Sequence, residues 1–275
     1  MLIAETFALL EATMIENYHT HTPRCRHASG TEEEYVQQAI AGGLQVLGFS
    51  DHTPFIFPGT YYSTMRMFPE EIYEYAATID ALKEKYADKI QIRLGLEVEY
   101  YPDRMADLLK LIENVGIEYM ILGHHWCGNE QGQPYNGRPT DDENRLRQYC
   151  TQAIEAMETG LFSYFAHPDL LYFTGDRQIY RTYMHKLCQA SKTENIPLEI
   201  NLLGLRTNRH YPNEIFWEIA GNVGCKVVLG SDAHSPSDVV DRQTEEKALR
   251  LVEKYHLQLL EHVPIHPYQW GKIAK

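Results

Sequence analysis

Met14-Ile15-Glu16-Asn17-Tyr18-His19-Thr20-His21-Thr22 is a short apolar run that ends on two imidazoles spaced two residues apart. On an extended strand, residues i and i+2 point to the same face, so His19 and His21 converge on one point. Histidine is the commonest metal ligand, and a His-x-His pair closing a strand is a natural start for a metal site. The pattern recurs along the chain. Leu44–Phe49 is followed by Asp51 and His52, and Ile90–Val98 carries Glu97 near its end, with Glu99 just beyond. Tyr119–Leu122 is followed by His124 and His125, Phe162–Ala166 by His167, and Val227–Leu229 by Asp232 and His234. His27 stands a few residues past the first pair. Leu198–Ile200 is a further strand candidate and Leu257–Leu260 a weaker eighth.

Helical patterns separate these runs: Glu32–Ala41, Pro69–Ala87, Arg104–Asn114, Asp142–Thr159, Ile179–Glu194, Pro212–Asn222 and Thr244–Tyr255. Thr31, with Glu34 three residues on, is a capping-box signature for the first, and Gly42-Gly43 stops it. Strands alternating with helices of ten or more residues imply a parallel sheet, and about seven such units predict a closed α/β barrel. In a (β/α) barrel, catalytic groups collect at the C-terminal ends of the strands, where these histidines and carboxylates stand. The connections Thr53–Phe68 and Trp126–Asp141 are long, rich in Gly, Pro and aromatics, and are predicted to roof the site. His185, His210, His256, His262 and His266 lie off the pattern and receive no role.

The chain has 275 residues, a size that suits one barrel domain over 1–275, with 1–13 read as an N-terminal extension. A net charge of −13 argues against a nucleic-acid partner. Five scattered cysteines without a C-x-x-C point to a reducing, cytoplasmic setting. No apolar run approaches the roughly 18 residues that a membrane helix needs. A homo-oligomer is compatible with the sequence.

Imidazole and carboxylate together suit Zn, Mn or Fe(II). So many ligands exceed one ion, so two to three divalent ions are expected, with Glu97 placed to bridge a pair. Two ions roughly 3.5–4 Å apart clamp both oxygens of an in-line phosphoryl displacement, which makes a small phosphate ester the natural substrate. At two positions the residues alone leave a choice. Asp51 reads as a turn or cap residue as well as a site acid. His124 and His125 point to opposite sides of a strand, so only one faces the metals.

The segments His19-Thr20-His21-Thr22 with Cys25 and His27-Ala28-Ser29-Gly30, and Gly48-Phe49-Ser50-Asp51-His52-Thr53-Pro54, match a known pattern. So do Gly95-Leu96-Glu97-Val98-Glu99, Ile121-Leu122-Gly123-His124-His125, Ala166-His167-Pro168-Asp169, Leu198-Glu199-Ile200-Asn201 through Gly204-Leu205-Arg206, and Gly230-Ser231-Asp232-Ala233-His234. Over residues 14 to 240 the chain resembles the polymerase-and-histidinol-phosphatase (PHP) superfamily, and within it the histidinol-phosphatases. The resemblance implies a distorted (β/α)7, TIM-like barrel with a trinuclear site. It implies that His19, His21, Glu97 and Asp232 hold one ion, Glu97, His125 and His167 a second, and His27, His52 and His234 a third. The implied reaction is hydrolysis of L-histidinol phosphate, with Arg206 forking onto the phosphate and Arg177 one candidate for a second such arginine. Asp232, Glu97 and His234 are the expected catalytic groups, and Glu99 is matched by charge to the cationic substrate. Alternatives are another PHP-type phosphatase acting on phosphotyrosine or small phosphomonoesters, or an amidohydrolase, whose usual strand-end lysine is replaced here by Glu97.

Overall fold

The computed structural model describes residues 14–265. The proposed extension 1–13 and His266 lie outside that range. Within it, the strands are β1 (Glu16–Asn17), β2 (Val46–His52), β3 (Gln91–Glu99), β4 (Tyr119–Gly123), β5 (Leu198–Asn201), β6 (Lys226–Gly230) and β7 (Gln258–Leu259). All the ladders are parallel, in the orders β1-β2-β3-β4 and β5-β6-β7. Phe165 joins the two groups through bridges to Leu122 on one side and Leu198 on the other. The expected strand Phe162–Ala166 is therefore a stave reduced to one bridging residue, although the amides of Ser163, Phe165 and Ala166 still donate to its neighbours. A further bridge, Thr20 to Ala233, closes the ring between the residues following β1 and those following β6. Seven staves result, arranged as a distorted (β/α) barrel. β7, the weaker eighth strand of the sequence reading, pairs only with the start of β6.

The helices are α1 (Glu32–Ala41), α2 (Ile72–Lys85), α3 (Pro102–Ile112), α4 (Glu143–Glu158), α5 (Arg177–Glu194), α6 (Leu202–Arg206), α7 (Glu214–Val223) and α8 (Arg242–Lys254). Thr31 and Glu34 form the reciprocal capping box of α1. Asp142, Asp176, Asn213 and Asp241 cap α4, α5, α7 and α8 with side-chain oxygens, satisfying amides that a helix start leaves unpaired. The short α6 was not foreseen in the sequence: its five residues are too few to show a period.

Two apolar layers result. The larger lies between the staves and the helices. The smaller fills the barrel itself with Tyr18, Val46, Tyr119, Ile121, Tyr164, Ala166 and Val228. Tyr119 spans this interior, donating its hydroxyl to the Tyr18 carbonyl at 2.9 Å. Its ring needs glycine on β2 and β3, because a Cβ at Gly48 or Gly95 would meet it at 2.3 Å. With its interior packed, the barrel is no pore, and its chemistry is confined to the rim.

Candidate active site

β2 and β3 run in a register that sets His52 beside Glu97, and β3 and β4 set Glu97 beside Ile121. The imidazoles that follow the other staves gather around this carboxylate. Glu97 Oε1 lies 2.8 Å from His167 Nε2 and 3.8 Å from His125 Nε2. Its Oε2 lies 2.9 Å from His52 Nδ1, 3.6 Å from His21 Nε2 and 3.7 Å from His19 Nε2. Asp232 Oδ1 approaches His21 Nε2 at 3.2 Å and His19 Nε2 at 3.5 Å. His27, His52 and His234 form a neighbouring trio, with 3.0 Å between the Nε2 atoms of His27 and His234. Nine side chains from six staves thus meet in one place.

The backbone is strained to bring them there. His167 and Asp232 hold φ of 34° and 47°, in the left-handed region that non-glycine residues usually avoid. Each costs about 1–3 kcal/mol and persists only where the surroundings enforce it, most often at functional sites.

Most of the rings are anchored through Nδ1, leaving Nε2 turned inward. His19 Nδ1 meets Glu199 Oε1 at 2.7 Å, and His125 Nδ1 meets Glu99 Oε1 at 2.5 Å. His27 Nδ1 meets the Cys25 carbonyl at 2.7 Å, His234 Nδ1 the Asp232 carbonyl at 3.1 Å, and His21 Nδ1 Asp51 Oδ1 at 3.4 Å. An outer partner that fixes tautomer and ring direction is the usual support of a metal-binding histidine. Glu199 and Asp51 therefore orient site rings. Asp51 also accepts the amides of Thr22 and His52, at 3.3 and 2.7 Å. Sequence pattern alone gives Glu199 no role, although a carboxylate between Leu198 and Ile200 on a buried strand demands a partner.

The donor set fits a cation. His19 Nε2, His21 Nε2, Glu97 Oε2 and His167 Nδ1 are buried without a well-aligned hydrogen bond, although His52 Nδ1 stands 2.9 Å from Glu97 Oε2 and Asp232 Oδ1 3.2 Å from His21 Nε2. Buried polar atoms are nearly always satisfied, and imidazole nitrogen with carboxylate oxygen is the chemistry of a borderline divalent ion. Ligand atoms of His19, His21 and Glu97 lie within 4.8 Å of one another, as do those of His52, Glu97 and His125, of His19, His167 and Asp232, and of His27, His52 and His234. These groups are candidate divalent-metal sites.

Charge follows the same geometry. Burial pushes the Glu97 carboxyl upward, but the surrounding imidazoles of His125, His52 and His19 hold it well below its ordinary value. Burial also drives His52 well below its ordinary value and His234 down to about 3, so both are neutral, the form in which imidazole ligates. His19 goes the other way. Glu199, Asp232 and Glu97 outweigh its burial and hold it well above its ordinary value.

The strand-four choice is settled by direction. His125 faces the site, while His124 turns to α4, with Nε2 3.2 Å from the Tyr149 carbonyl and its ring 4.4 Å from that of Tyr149. Glu99 corrects the expectation of a substrate contact. It is buried beneath His125, accepts that residue's amide at 2.9 Å and lies 3.3 Å from Arg66.

A cavity of about 580 Å³ opens above the cluster. Its floor is His27, His52, Glu97, His125, Asp232 and His234, and both long connections roof it, through Met65 and through Tyr135 and Gly137. One wall is made by Leu203 of α6 and by Arg209, His210 and Tyr211 just after it. Neither expected phosphate-binding arginine is among the lining residues. Arg206 is drawn aside by Asp238, 3.2 Å from its Nε, and by the Ser231 carbonyl. Arg177 is exposed on the first turn of α5. The lining guanidinium is Arg209, which donates to the Tyr211 hydroxyl at 2.7 Å. A Thr-Asn-Arg-His loop gives little sign of this, because loop direction has no periodicity to read. His210, set aside in the sequence reading, lies in the wall, bonded to the Leu170 carbonyl at 2.7 Å. His185 and His256 lie on α5 and past the end of α8, and His262 pairs with Glu16, all away from the cavity.

The PHP domain family matches residues 17–202. The chain belongs to the PHP domain family. A probable histidinol-phosphatase of Deinococcus radiodurans is 32% identical over 229 residues, covering 80% of this PHP chain and 86% of the relative. The histidinol-phosphatase of Lactococcus lactis is 24% identical, covering 79% and 83%. Among solved structures, the histidinol phosphate phosphatase of Lactococcus lactis, complexed with zinc, L-histidinol and phosphate, superposes with a TM-score of 0.71 at 22% identity. That match covers 90% of this PHP chain and 96% of the other. At that identity the superposition shows a shared fold.

Proposed function

We propose that this PHP chain is a metal-dependent histidinol-phosphatase, hydrolysing L-histidinol phosphate to L-histidinol and phosphate. The observation that carries the reading is the set of buried ring nitrogens of His19, His21 and His167 clustered around Glu97, a carboxylate that also forms part of the floor of one open cavity. The substrate is supported by the kinship with histidinol-phosphatases. We assign His19, His21, Glu97 and Asp232 to one ion, Glu97, His125 and His167 to a second, and His27, His52 and His234 to a third. Zn, Mn and Fe all suit this set. When bound, such ions supply Lewis acidity toward the ester and lower the pKa of water toward neutrality.

The chain's own residues do the rest. Glu199, Asp51 and Glu99 keep the rings aimed. Arg209 meets the phosphate from the wall opposite the cluster, with a guanidinium suited to two oxygens. Water attacks phosphorus, the bond from phosphorus to the ester oxygen breaks, and a proton reaches the departing alkoxide. The proton released by the attacking water is relayed to it along Asp232 and His234, whose Oδ1 and Nδ1 are 3.4 Å apart beside the cavity. Residues 1–275 act as one catalytic unit on a small phosphate ester. A cytoplasmic setting agrees with five free, buried cysteines. Among the described residues, no helix is long and apolar enough to cross a membrane.

The test is phosphate release from L-histidinol phosphate by Zn- or Mn-loaded protein, beside phosphotyrosine and a panel of small phosphomonoesters. A kcat/KM for histidinol phosphate at least tenfold above the panel supports the reading. Equal or better turnover of phosphotyrosine overturns the substrate.

A further inference from the structure

Arg66 comes from the first roof connection, yet it is only 2% exposed. Its guanidinium is held between the rings of Phe55 and Trp126, at 5.5 and 5.7 Å. Arg66 Nε donates to Glu130 Oε2 at 2.6 Å, and Glu130 belongs to the second roof connection, where Tyr61 donates to its other oxygen at 3.1 Å. On its other side Arg66 lies 3.3 Å from Glu99 Oε1, the atom that holds His125 Nδ1 at 2.5 Å. A continuous chain, Tyr61–Glu130–Arg66–Glu99–His125, therefore runs from both roof connections to a ring on the cavity floor. Both carboxylates are buried, so each needs the cation, and a planar fork can serve both at once where an ammonium cannot.

We propose that Arg66 is a positioning residue that ties the two roof connections to Glu99 and so fixes the direction of the His125 imidazole. The seating of Met65 and Tyr135 over the cavity and the aim of His125 then become one structural event. The inference rests on the reading that His125 helps to hold a cation, and it has a readout independent of turnover.

The experiment compares R66M, R66K, E99Q and R66M/E99Q with the full-length wild-type protein, each stripped and then titrated with Zn in competition with a chelator. Melting by circular dichroism selects the variants that are folded, and R66K carries the test where R66M does not accumulate. The expected result is one ion equivalent weakened 10- to 100-fold, the usual effect of losing an outer partner. kcat should fall alongside it, KM should stay within about twofold, and R66M/E99Q should be no worse than E99Q. Wild-type Zn affinity in the folded Arg66 variants, or effects of R66M and E99Q that multiply independently, overturns the proposal. Wild-type protein that binds Zn but leaves histidinol phosphate intact overturns the substrate reading instead, and leaves the Arg66 comparison fully readable.

Discussion

Replacing Glu199 by glutamine changes one oxygen to an amide nitrogen with almost no change of shape, and the geometry predicts which bond is lost. The carboxylate accepts three donors: His19 Nδ1 at 2.7 Å on Oε1, with the His167 amide and Asn201 Nδ2, both at 3.0 Å, on Oε2. A glutamine cannot accept on both sides. Its NH2 group, turned toward the two fixed donors, would create two clashes, each worth about 1–3 kcal/mol. Turned toward His19 it creates one, which the ring relieves by moving its proton from Nδ1 to Nε2. Nε2 is the atom that faces Glu97 and Asp232, and once protonated it cannot ligate. The expected loss of metal affinity is 10- to 100-fold, or about 1.4–2.7 kcal/mol. Chelator competition with Zn or Mn on stripped E199Q measures it, with kcat followed in parallel. E199Q that binds its metals as tightly as wild type and turns over normally would refute the argument.

Other substitutions separate neighbouring residues. H125A should lose one ion equivalent and most activity, whereas H124N should keep both and lower the melting temperature, as metal analysis beside thermal melts would show. R209M should raise KM for the ester at least tenfold with metal content intact, while R206M, an Arg–Asp pair near the surface, should leave KM unchanged and cost about 0–1 kcal/mol of stability. Burial raises the Asp169 carboxyl from 3.8 to about 7, so its contribution to stability is present at low pH and lost as pH rises through about 7. D169N retains the oxygen that accepts from Trp217 Nε1 and should outdo wild type in urea melts by up to about 4 kcal/mol at pH 8, and by less at pH 5. G230A should fold poorly or lose metal, because the added Cβ would stand 1.8 Å from Glu199 Oε1; soluble, fully active G230A would contradict that contact.

The barrel was legible because its signals are periodic. Apolar runs alternate with capped helices, and titratable residues fall at the same end of each run. The direction of His125 over His124 follows from the alternation of a strand, but which of the two faces inward needs the register with β3. Less legible were the groups that act through another residue. Glu199 stands between Leu198 and Ile200 with no spacing signature, and the spacing of Glu99 from Glu97 does not name its partner. Their roles depend on pairs 180 and 26 residues apart in the chain. At Arg206 a motif fixes where the residue sits and not what competes for it; Asp238, outside the motif, holds its guanidinium. Arg209 and Arg66 belong to loops, where contacts made by folding, and not local pattern, set the direction of a side chain.

The most direct test is a crystal of the Zn-loaded protein measured with X-rays on either side of the zinc absorption edge. Anomalous peaks are expected within His19, His21, Glu97 and Asp232, within Glu97, His125 and His167, and within His27, His52 and His234. A loaded crystal with no anomalous density among these side chains, or with zinc bound only elsewhere, would contradict this assignment.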